Sequence, residues 1–78
     1  MPTILRWNGY RFYSFSNEGV EPPHIHVDKA GHSAKHWLEP VALARNIGYS
    51  VKELRDIEAK VSAEAAVLLE KWREFFGD

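Results

Sequence analysis

Seventy-eight residues with a formal charge of −1 and no cysteine make a single domain, 1–78, with one modest core. They exclude disulfides, thiolate metal sites and thiol nucleophiles, and the near-zero charge argues against non-specific gripping of nucleic-acid backbone while leaving room for a local basic patch. No apolar run is long enough for a bilayer span, and Met-Pro-Thr-Ile-Leu-Arg at the start lacks the apolar stretch of a signal peptide, so a cytoplasmic protein away from the membrane is expected.

Residues 3–7 read as a short apolar strand. Asn8-Gly9 is a hairpin turn signal, because a type I′ turn needs positive φ at both central residues. Residues 10–16 continue as a strand with Tyr10, Phe12, Ser14 and Ser16 on one side and Arg11, Tyr13 and Phe15 on the other. Aromatics on both sides indicate a central strand. Ser16-Asn17-Glu18-Gly19 is turn chemistry, and the polar loop runs to Pro23.

The stretch Glu21-Pro22-Pro23-His24-Ile25-His26-Val27 is the most informative. Each proline fixes φ and removes a donor, which stiffens the entry to the strand that follows. From His24 to Lys29 the sides alternate. His24, His26 and Asp28 share one face, and Ile25 and Val27 point into a core. Gly31-His32 reads as the tip of a second hairpin and residues 33–38 as its return strand. Two registers are open. In one, Ala34, His36 and Leu38 join the core, and Lys35, Trp37 and Glu39 lie beside His24 and His26. The other buries Trp37 and exposes Lys35 and Glu39 only at the edges. The first is expected because it buries no formal charge.

Glu39-Pro40 ends this strand. Residues 41–44 are a last strand or an extended connection, and residues 46–49 a turn. Ser50-Val51-Lys52-Glu53 is a capping box. Apolar residues then recur at Leu54, Ile57, Val61, Ala65, Leu68, Trp72 and Phe75, a stripe with helical spacing, and Gly77 stands where a C-cap belongs. One helix, Val51–Phe76, is expected, with a weak point near Ser62. The fold class is therefore α+β: an antiparallel sheet of about four strands in two hairpins, with one long C-terminal helix packed on one face. At 1.5 Å per residue that helix spans on the order of 39 Å, more than so small a sheet covers. The apolar weight at its end, Trp72, Phe75 and Phe76, then marks a surface for a homo-oligomer or a partner.

The segments Ser16-Asn17-Glu18-Gly19, Glu21-Pro22-Pro23-His24-Ile25-His26-Val27, Ala34-Lys35 and Trp37-Leu38-Glu39-Pro40 resemble a small bacterial family known as domain of unknown function 4160. The resemblance covers nearly the whole chain. It implies a cytoplasmic protein encoded beside a small protein partner, in pairs that resemble toxin–antitoxin systems. The family pattern carries an aromatic residue where this chain has His36, which favours a core position for His36 over a ligand role.

Three chemistries compete for the two-histidine face, and the residues leave open whether anything is catalysed. Metal-free RNA cleavage would use His24 and His26 as base and acid, Lys35 or Arg11 to stabilise phosphorane charge, and Glu39 to orient an imidazole. A metal site would need a third ligand from Glu39, Asp28 or Glu18 beside the His-x-His pair. An interaction module would use the helix end and an open sheet edge. No cofactor is implied.

Overall fold

The computed structural model describes residues 3–14 and 21–76. The turn at 16–19, Glu18, the strand residues expected at 15 and 16, and the Gly77 cap lie outside the described residues. The chain forms β1 (Thr3–Trp7), β2 (Tyr10–Tyr13), β3 (His24–Lys29), β4 (His32–Leu38), β5 (Val41–Ile47) and α1 (Val51–Phe76). All strand pairs are antiparallel, and the spatial order is the chain order, β1-β2-β3-β4-β5.

The sheet thus has five strands rather than about four. The short apolar run at 41–44 continues to Ile47 because the outer edge of β4 offers a row of backbone donors and acceptors that β5 satisfies. A register shift between Lys35 and His36 absorbs one extra residue, as a bulge does. The first hairpin turns at Asn8 and Gly9, with φ of 50° and 83°. The second turns at Ala30 and Gly31, with φ of 51° and 84°, not at Gly31-His32. His32 instead pairs with Lys29 and opens β4. A two-residue turn needs positive φ at both centres, and Ala30 accepts that conformation at a cost of roughly 1–2 kcal/mol.

The expected register of the β3–β4 hairpin is the one found: Ile25 faces His36, Val27 faces Ala34, His26 faces Lys35 and His24 faces Trp37. The helix begins at the capping box. Glu53 N donates to Ser50 Oγ at 3.1 Å, and Ser50 N donates to Glu53 Oε1 at 3.0 Å. These bonds hold the Glu53 carboxyl below its usual range. Helical backbone runs unbroken past Ser62 to Phe76. Ile57, Val61 and Leu68 pack on Phe12, Ile25, Val27, Ala34 and Leu38, with Leu54 and Leu69 at the margin.

His36 lies within this core, fully buried. Among the described residues neither ring nitrogen has a hydrogen-bond partner. Burial lowers its pKa, only partly opposed by the Glu58 carboxylate, so the ring is packed as a neutral group. No helix among the described residues is long and apolar enough to cross a membrane.

Candidate nucleic-acid interface

Residues paired across neighbouring strands share a face, so the register assigns every side chain of the sheet to one of two sides. One side is taken by α1. On the other, one row across the strands runs Arg6, Arg11, Asp28 and Ser33. The next runs Tyr13, His26, Lys35 and Arg45, and a third holds His24, Trp37 and Ala42. Of the five basic residues that precede the helix in the sequence, four therefore stand on the face without the helix. The fifth, Lys29, has its ammonium 4.4 Å from the Tyr10 ring centre on the helix side.

The rings on this face are held against one another and against cations. Arg11 sits 4.5 Å over Tyr13. Tyr13 stacks on His26 at 5.3 Å with 24° between planes. His26 meets His24 edge to face at 5.2 Å, and His24 meets Trp37 in the same way at 5.7 Å. Lys35 lies 4.8 Å over Trp37. Tyr13 donates its hydroxyl to Asp28 Oδ2 at 2.9 Å. Burial first, then the Asp28 acceptor and its charge, push the Tyr13 hydroxyl up to about 12, so it stays a donor and fixes the carboxylate between Arg11 and Ser33.

The two histidines have unequal surroundings. His26 is half-buried, whereas His24 is fully enclosed. The end of α1 reaches past the sheet and lays Trp72 on the His24 ring, with centroids 4.8 Å apart. Trp72 is itself buried by this contact and by Phe76, 4.0 Å away. His24 Nδ1 lies 2.9 Å from Pro22 O. A carbonyl only accepts, so Nδ1 carries the proton. The Pro-Pro entry thus sets both the position and the tautomer of His24.

Lys35 Nζ donates to Glu21 Oε1 at 2.7 Å, and the same oxygen stands 3.7 Å from His24 Nδ1. Arg11 lies one row away from Lys35, opposite Asp28. Glu39 occupies the exposed turn after β4, where its carboxylate is 3.7 Å from Arg73 Nη2 on the helix. Among the described residues no three His, Asp or Glu side chains gather in a metal-holding group. Asp28 is committed to Tyr13, Glu39 is turned to Arg73, and Glu18 lies outside the described residues.

The sequence alone assigns no site role to Arg6, Arg45 or Glu21 and gives no sign of the contact between Trp72 and His24. The alternation of β1 and β2 does pair Arg6 with Arg11 once the Asn8-Gly9 turn is fixed. Arg45 is hidden by the extra residue in β5, which breaks the alternation there. No curated protein and no solved structure matches the chain. A family model does match over residues 9–73, which spans the four strands β2 to β5, the whole basic face except Arg6, and the helix as far as the Trp72 contact. The chain belongs to the family described as a domain of unknown function (DUF4160).

Proposed function

We propose that this domain binds the phosphate backbone of single-stranded RNA across the sheet face turned away from α1, and that it binds without cleaving. One observation carries the reading. Arg6 stands directly opposite Arg11, and Lys35 directly opposite Arg45. Like charges in cross-strand pairs destabilise a sheet. Two such pairs on one face, set against the carboxylates of Asp28 and Glu21, are accounted for where a polyanion supplies further balancing charge and releases its counterions. Half-exposed His26 and Trp37 lie between the cations as platforms for unstacked bases. His24 supports His26 from behind and is too enclosed to carry protons to a substrate. The resemblance to toxin–antitoxin-like gene pairs gives such an RNA-binding protein a cellular setting.

The test is anisotropy of a labelled ten-nucleotide oligouridylate over a salt series. Three to four phosphate contacts give a log–log salt slope of roughly −2 to −3. The variant with Arg6, Arg11, Lys35 and Arg45 all changed to Gln is expected to bind about 100-fold or more weakly, with an unchanged circular dichroism spectrum. Equal binding by the two proteins would remove the reading.

A second reading concerns the helix end. Phe75 is 46% exposed and packs edge to face on Phe76 at 4.9 Å, which favours a docking point for a second copy or a small protein partner. Trp72 is spent on His24 and does not belong to that surface. Sedimentation should show association that Phe75→Ala weakens and Trp72→Phe does not; a monomer at all concentrations would exclude self-association.

A further inference from the structure

Lys35 on the basic face has its charge already met by a close carboxylate from outside the sheet. Its side chain is only 18% exposed, its ammonium lies over Trp37, and it is flanked by His26 and Arg45 in the same cross-strand row. Glu21 by contrast is 46% exposed. It reaches over from the segment before the Pro-Pro entry and places Oε1 2.7 Å from Lys35 Nζ and 3.7 Å from His24 Nδ1. A carboxylate and a phosphate diester present the same kind of charged oxygen acceptor to an ammonium. The Glu21 oxygen therefore stands where a backbone phosphate would have to stand to meet Lys35.

Resting on the RNA-binding reading above, we infer that Lys35, between His26 and Arg45, is the central phosphate subsite of this face, and that Glu21 fills it in the free protein as an internal competitor. Glu21 opposes an arriving phosphate at Lys35, because two anions within a few ångströms repel each other. The half-exposed Glu21 side chain turns into water as the phosphate takes its place. The carboxylate thus selects against weak monovalent anions and admits a strand whose neighbouring phosphates are held at the same time by Arg11 and Arg45.

An alternative role for the pair is a tether that fixes residue 21 to β4. Glu21→Gln separates the two roles. The amide keeps the side-chain length and an acceptor oxygen for Lys35, so a tether survives while the competing charge is lost. Binding of the same ten-nucleotide oligouridylate is measured for wild type, Glu21→Gln, Lys35→Gln and the double variant. Glu21→Gln is expected to bind about threefold to tenfold more tightly, Lys35→Gln to bind more weakly, and the gain from Glu21→Gln to vanish in the Lys35→Gln background, as coupled sites require. Unchanged or weaker binding by Glu21→Gln, with Lys35→Gln still weakened, would overturn the competitor and leave the RNA-binding reading standing. Unchanged binding by Lys35→Gln would overturn the subsite in the same way. If neither wild type nor Glu21→Gln binds the oligonucleotide, the RNA-binding reading falls and this inference falls with it.

Discussion

Replacing Trp72 by alanine is expected to lower the unfolding free energy by about 3–5 kcal/mol and to open His24 to water. Trp72 is 5% exposed, lies 4.8 Å from the His24 ring and 4.0 Å from Phe76, and sits one turn beyond Leu68, which is buried in the main core. Its removal leaves a hole between the helix end and the sheet that neither partner can fill, because β3 is held in register by β2 and β4. Urea unfolding reads the stability. Modification by diethylpyrocarbonate, mapped to single histidines, reads the access: His24 should react slowly in wild type and fast in Trp72→Ala. Trp72→Phe keeps a ring on His24 and should lose less than half as much stability while keeping His24 protected. An unchanged urea midpoint in Trp72→Ala, or fast modification of His24 in wild type, would show that the helix end does not cover this residue.

A second large effect is expected from His36. Burial lowers its pKa from the ordinary value of about 6.5. Below that pH the unfolded chain takes up a proton that the folded ring refuses, so folding is opposed as pH falls. The stability tied to this group is complete above about pH 6.5 and is lost below it, with a slope of up to about 1.4 kcal/mol per pH unit. His36→Leu, similar in volume and apolar, should lack this slope. It should also be more stable at pH 7 by about 1–3 kcal/mol, because two buried nitrogens without partners are removed. The quantity to compare is the difference between wild type and variant across pH 5–8, since the carboxylates contribute equally to both. Parallel profiles would contradict the expectation.

Much of the frame was legible in the chain because several local signals coincide. Ser50 and Glu53 cap a helix whose apolar stripe keeps its period to Phe75, so both ends of α1 could be placed. Asn8-Gly9 fixed one hairpin. In the other, a charge argument favoured the register found, since the alternative would have left Lys35 and Glu39 exposed only at the edges. The turn itself was displaced by one residue, because Ala30 in a left-handed conformation has no sequence signature. The end of β5 was missed for a related reason: the extra residue near Ala44 interrupts the alternation that would have announced Arg45. The open face was partly legible. Period two put His24 and His26 on one side, but it says nothing of a helix that overhangs the sheet and returns to cover one of them. The long helix was read as carrying its aromatics outward, whereas Trp72 folds back onto His24. Cross-strand charge pairs were invisible for a different reason. Each joins residues brought opposite one another only when turn and register are both known, and on that depends the contrast between a neutral protein and a basic face.

The order of the strands in the sheet has a kinetic consequence. Each strand pairs with its immediate predecessor, so the sheet can zip up through successive neighbours without a long crossover. Low contact order of this kind favours fast folding. The packing of α1 on the sheet is of longer range, and within it the contact between Trp72 and His24 joins positions nearly fifty residues apart and must wait until both β3 and α1 exist. The same contact is at the C-terminal end of the helix, and helix ends are where local opening requires the least free energy. Amide protons in the last turns of α1 should therefore exchange with solvent well before those of β3 and β4, and His24 meets water through that partial opening while the sheet stays intact.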